Sequence, residues 1–324
     1  MVSFTPKYKD NEKNVVETTS GLNNKDILEN ISNGRNWKAR LFVVEKTLDE
    51  NVLRVIAKDD CDRDVRIAAV KKLTDKNVIN DIANSDIDWK VRLDAVKKVN
   101  DKNVLIDIAE NNSDWKVRRA AVKKINDEKI LIDIAKNNSD SKIRCAAVKK
   151  IRDENVIINI AKNHADINVR MIATINLNDE DVLADIAKND PDSEIRLIAA
   201  KNIIDDDVLA DIVKNDPDCK VRLNLVEYLT DEDVLADIAK NDSISDIRIS
   251  VIDRILDDDV LADIAKNDPD WIVRLAAVEK ITDENVLIDI AENDSYEEVR
   301  FVASERIISE EFIENIVNEA MLSS

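Results

Sequence analysis

Two glycines and four prolines in 324 residues leave little material for the turns of a β-rich fold. The glycines are Gly21 and Gly34, and neither GxxxxGK[ST] nor GxGxxG occurs, so no phosphate-cradling loop is present in the sequence. His164 is the one histidine, which rules out a metal site built from several imidazoles and leaves any triad dependent on a single residue. Cys61, Cys145 and Cys219 lie far apart and suit neither a disulfide framework nor a zinc knuckle, so they are read as reduced thiols. No stretch approaches the roughly 18 consecutive apolar residues of a membrane span, and the opening MVSFTPKYKDNEKN lacks the apolar core of a secretory signal. The expectation is a cytoplasmic protein with no membrane contact, no cofactor, no metal and no catalytic constellation. The acidic runs Asp205 to Asp207 and Asp257 to Asp259 lack the spaced ligands and glycine of a calcium loop, and read as helix starts.

What the chain does contain is periodic. Apolar residues make up 44% and charged residues 36%, enough of the former to bury a continuous core. Arginine recurs at 40, 66, 92, 118, 144, 170, 196, 222, 248, 274 and 300, always 26 residues apart, usually with Val or Ile just before it. The clearest copy, DEDVLADIAKNDPDSEIRLIAAKNII at residues 179–204, resolves into two short amphipathic helices. In the first, about 180–189, Val182, Leu183, Ile186 and Ala187 form one apolar stripe. In the second, about 193–203, Ile195, Ala199, Ala200 and Ile203 do the same. Asp179 and Asp192 stand at N-cap positions, and Pro191 stops the first helix. Helices this short are marginal alone, so their stability must come from stacking on neighbours. The alanines at 69, 95, 121, 147, 173, 199, 277 and 303 permit that stacking to be close.

The string Asp, Pro or Ser, Asp, two variable residues, Val or Ile, Arg, followed by an Ala-Val step, resembles HEAT repeats of the short bacterial and archaeal kind, and is similar also to leucine-rich-repeat variants. The resemblance covers residues 24–322 in eleven copies. It implies an all-α fold, a right-handed α-α superhelix of about eleven 26-residue two-helix repeats with atypical ends. A polar tail or small cap over 1–22 would then precede one repeat domain over 23–324, with a capping first repeat at 23–48 and a terminal capping helix at 309–322. In that family an aspartate six residues before the arginine forms a ladder with it. Here the matching pairs include Asp190 with Arg196, Asp216 with Arg222, Asp242 with Arg248, Asp268 with Arg274, and Asp294 with Arg300. Asn112, Asn138 and His164 lack the carboxylate, and the aspartate at the nearby helix start is a second candidate partner.

Two further patterns point to binding. All four tryptophans, Trp37, Trp89, Trp115 and Trp271, stand three residues before the arginine, in a slot that elsewhere holds Ser, Arg, Cys, Ile or Glu. A slot so tolerant is expected to be partly exposed, and Trp89 with Trp115 can form a ligand platform or simply cover the grooves between repeats. Charge is also divided. Residues 65–152 hold 21 Lys or Arg against 13 Asp or Glu, a net of +8, whereas residues 179–324 hold 14 against 40, a net of −26. Helical phase places Lys97, Lys123 and Lys149 on the same outward ridge as Lys90, Lys116 and Lys142, while lysines near a helix C-terminus also complement its dipole. The resemblance implies that second helices line a concave side, so these lysines, Trp89, Trp115 and Arg119 are the candidate partner-binding residues. A protein or peptide is the expected partner. A phosphorylated or acidic ligand or nucleic acid is the alternative, and nucleic acid is disfavoured by the overall charge of −20.

Overall fold

The computed structural model describes residues 37–307. The tail at 1–22, the opening of the first repeat with Gly34, and the closing helix at 309–322 lie outside the described residues. Among those described the chain is all-α, with no strand, and short helices, mostly of seven to ten residues, alternate through it. They belong to two compact bodies, 37–157 with 164–172, and 158–163 with 173–307.

Each repeat supplies a first and a second helix that pack on each other, for example Glu50–Asp59 on Arg63–Lys72 in the first body and Glu180–Asn189 on Ser193–Ala200 in the second. Aspartate starts nearly all of them. Asp49, Asp62, Asp75 and Asp101 each accept two backbone N–H groups of the first turn, which has no partners within the helix. Ser245–Ile252 is an exception, because Ile244 occupies its cap position.

The scarcity of glycine has a structural counterpart. Among the described residues no backbone takes a positive φ. First helices stop instead at an extended residue, such as Asp60 at φ −65° and ψ 134°, whose N–H still bonds to the carbonyl of Ile56. A left-handed cap, which favours glycine, is not used.

Second helices pack directly on second helices along each body, and first helices on first. Ala95, Ala121 and Ala147 in the first body, and Ala199 and Ala277 in the second, sit fully covered at these contacts. Around them Leu53, Ile56, Val65, Ile143, Leu183, Ile195 and Ile247 are also buried. Each aliphatic side chain so covered contributes about 1.5–3 kcal/mol. The second helix read over 193–203 ends at Ala200, because Asn202 and Ile203 close the turn with bonds to the carbonyls of Ala199 and Ala200. That tightening still tucks Ile203 into the core.

Polar groups join repeat to repeat as well. Glu50 Oε1 accepts the N–H groups of Thr74 and Asp75, both at 2.7 Å, at the start of the following first helix. Glu180 does the same for Ile204 and Asp205. On the first-helix surface, Lys188 pairs with Asp211, Lys214 with Asp237 and Lys240 with Asp263. These exposed pairs contribute between nothing and about 1 kcal/mol each.

Candidate partner-binding ridge

Most of the repeating arginines are buried, and Arg118, Arg144 and Arg300 are half-buried, so their charge has to be met inside the stack. The aspartate six residues earlier does not meet it with its carboxylate. Arg196 donates from Nε and Nη2 to both oxygens of Asp216, at 2.8 and 2.9 Å, twenty residues ahead in the next repeat. Its Nη1 reaches back only to the backbone carbonyl of Asp190, at 3.0 Å. The same forward, two-pronged pairing links Arg66 to Asp86, Arg222 to Asp242, Arg248 to Asp268 and Arg274 to Asp294. Each aspartate also accepts a loop N–H of its own repeat, as Asp216 does from Asp218. The hydrogen bond to Asp216, followed by the pull of its charge, raises the Arg196 pKa against the opposing effect of burial.

Where asparagine or histidine replaces that aspartate, the arginine finds something else. Arg118 and Arg144 donate to Asp140 and Asp166, the N-cap aspartates of the next second helix. One prong is lost in the exchange, and Arg144 Nε is buried without a partner. Arg92 is met by two neutral groups, Asn112 Oδ1 at 3.3 Å and Ser113 Oγ at 3.0 Å. His164 stands in for the loop aspartate, with Nδ1 accepting the N–H of Asp166 at 3.0 Å and its carbonyl accepting from Arg170 at 2.9 Å.

The tandem lysines divide into two kinds. The second of each pair turns inward. Lys98 Nζ donates to the carbonyls of Val70, Lys71 and Leu73, at 3.1, 2.7 and 2.5 Å, at the end of the preceding second helix. Lys72 docks likewise on Val44, Glu45 and Thr47, and burial pushes the Lys98, Lys124 and Lys150 ammonium groups down in pKa. Arg254 fills the same role in the second body, on Val226 and Leu229. Sequence reading marked the dipole at these helix ends but not the neighbour that the second lysine caps, since that contact crosses from one repeat to the next. Replacing Lys98 with methionine keeps its length and removes three hydrogen bonds. The expected loss is about 1 kcal/mol in urea unfolding, against almost no change for Lys97→Met.

The first lysine of each pair, Lys97, Lys123 and Lys149, is exposed, as are Lys116, Arg119 and Lys142. Trp89 and Trp115 are half-buried, and a lysine of the next repeat lies over each ring. Lys116 Nζ lies 4.3 Å from the centre of the Trp89 ring, and Lys142 Nζ lies 4.7 Å from that of Trp115. Lys90 and Lys116 approach the ring of their own repeat at 5.7 and 5.9 Å. The result is an alternating file of ammonium groups and indoles, with attraction between each cation and the negative face of the ring. Trp271 instead stacks on Tyr296, at 5.2 Å and 8°. Asp94 pairs with Lys97 at 2.6 Å. The candidate ridge residues thus come together on consecutive second helices of the first body, but the tryptophans are not bare platforms.

Among the described residues no group of three His, Cys, Asp or Glu side chains is arranged to hold a metal, and no helix is long and apolar enough to cross a membrane. The three cysteines are free thiols. No protein-family model matches the chain, and no curated protein matches it significantly.

Proposed function

We propose that this chain is a non-enzymatic scaffold that binds a protein or peptide partner along the outward ridge of its second helices. One observation carries this reading: the framework is constant from repeat to repeat while the ridge is not. The arginines and the aspartate caps recur almost unchanged, a small or aliphatic residue fills the centre of each second helix, and the arginines join repeat to repeat. The exposed slot five residues after the arginine instead runs Lys71, Lys97, Lys123, Lys149, Ile175, Lys201, Glu227, Asp253 and Glu279. Within each body, a constant support carrying a changing exposed row is what selective binding requires. The likeness of the repeat to HEAT units points the same way and rests on the residues themselves.

Cross-linking the full chain in lysate of its source cells, followed by mapping of the linked lysines, tests this. Partner links are expected on second helices, at Lys97, Lys123, Lys149, Lys201 or Lys220, and not on first-helix lysines such as Lys102, Lys129 and Lys136, which are also exposed. Repeated capture of no protein, or links confined to first helices, overturns the proposal.

A further inference from the structure

We infer that the ridge over residues 89–149 is a docking site for an extended acidic polypeptide whose carboxylates recur about every third residue. The inference rests on the scaffold reading and gives one segment of the ridge its partner chemistry.

Two rows of cations border this segment. Lys90, Lys116 and Lys142 stand near the N-terminal ends of three consecutive second helices, and Lys97, Lys123 and Lys149 near the C-terminal ends. Seven residues of helix separate the rows, about 10 Å. Between them, Ala120 and Ala146 keep the middle of the ridge low, while Arg119 adds a charge from the central repeat. The row of Lys90 stops on both sides, whereas the row of Lys149 ends after it and runs back to Lys71. The slot of Lys90 is taken by Asp64 in the repeat before and by Asn168 in the repeat after, and the slot of Lys149 by Ile175. In two of these repeats Asn112 and Asn138 replace the loop aspartates that meet the arginine elsewhere, and Arg118 draws on the cap aspartate Asp140 instead. One carboxylate fewer in each of the two leaves the positive charge less compensated. Lys97 alone is already paired on this surface, with Asp94.

Spacing chooses among anionic partners. Packed helices lie about 8–10 Å apart, and a polypeptide in the polyproline II conformation advances about 3.1 Å per residue and returns to the same face every third residue. Carboxylates three residues apart therefore fall in register with successive repeats. In a duplex the phosphates of one strand rise about 3.4 Å apiece along the helix axis, so most would face no cation. Single strands also gain affinity by stacking bases on open aromatic faces, and here Lys116 and Lys142 occupy the faces of Trp89 and Trp115. Those contacts instead hold two ammonium groups in place before a ligand arrives, which lowers the ordering cost of binding.

Fluorescence anisotropy with the full chain tests the site. The probes are a labelled peptide of about nine residues with Asp at every third position and Ser between, its Asn counterpart, a peptide with the same acids clustered at one end, and oligo-dT of equal charge. The spaced acidic peptide is expected to bind best, with affinity falling as salt rises from about 50 to 200 mM. Lys116→Gln with Lys123→Gln, and separately Lys142→Gln with Lys149→Gln, are expected to weaken it about five-fold, the loss that a pair of exposed ion pairs accounts for. Lys129→Gln with Lys136→Gln on a first helix leaves it unchanged, and circular dichroism verifies that each variant is folded. Equal binding of the clustered peptide, tighter binding of oligo-dT, wild-type affinity in both ridge variants, or salt-dependent dimers of the protein alone that the same variants abolish would each overturn the assignment. Such a result leaves the scaffold reading to stand or fall on the cross-link map, where Lys201 and Lys220 report on ridge positions outside this segment.

Discussion

Asp216→Asn combined with Asp218→Asn is expected to destabilise the chain by about 3–5 kcal/mol, well beyond the sum of the two single changes. The size follows from Arg196, which is buried and would lose both the carboxylate it bonds and the cap carboxylate beside it. The non-additivity follows from the repeats that already lack the loop aspartate. There Arg118 and Arg144 turn to the cap aspartates Asp140 and Asp166, and Asp218 occupies the equivalent place for Arg196. Asp216→Asn alone therefore leaves Arg196 a second carboxylate and is expected to cost about 1–2 kcal/mol, the difference between two prongs and one. Asparagine also preserves the loop hydrogen bond, as Asn112 and Asn138 do for Asp114 and Asp140. Asp218→Asn alone should cost well under 1 kcal/mol, because asparagine caps a helix about as well as aspartate. A double-mutant cycle in urea measures the coupling directly. Coupling near zero would show that Arg196 does not change partners and would sink this account of the asparagine-bearing repeats.

How far the fold could be read in advance depended on the range of each interaction. Helix positions, aspartate caps and the covered alanines follow from geometry within one helix, and the 3.6-residue rhythm displays them openly. The partner of the arginine did not show in the same way. With a period of 26, an aspartate six residues behind any arginine implies another twenty residues ahead in most copies, so spacing alone cannot separate the two. Only the placement of one repeat against the next decides it, and it gives the carboxylate to the arginine behind and the carbonyl to the arginine ahead. The same limit hid the inward lysines and the covering of the indoles. Lys98 caps a helix 25 to 28 residues earlier, and Lys116 covers a ring from the preceding repeat. Charge and phase group these residues on one ridge, but contacts between repeats determine which cations remain outward.

Asp166→Asn is expected to cost about 2 kcal/mol at neutral pH, and the cost should disappear in acid. Asp166 is the carboxylate that Arg144 uses in place of a loop aspartate, with His164 offering no negative charge beside it. Burial pushes the Asp166 carboxyl up, but hydrogen bonds from Ser141 and Arg144, together with the N–H of Asn168, outweigh it and hold the pKa down at about 2. An unfolded aspartate titrates near 3.9. Because the folded value is the lower one, the charged form stabilises the fold fully above about pH 4, and this contribution fades as pH falls from 4 towards 2. Asparagine keeps the cap on Asn168 and Val169 while removing the charge. Urea midpoints for the two proteins should thus differ at pH 7 and converge near pH 2, with faster amide exchange at pH 7 centred on Ser141–Val148. A gap that stays constant from pH 7 to pH 2 would mean that Asp166 acts by shape or hydrogen bonding alone, and that the charge of Arg144 is met without it.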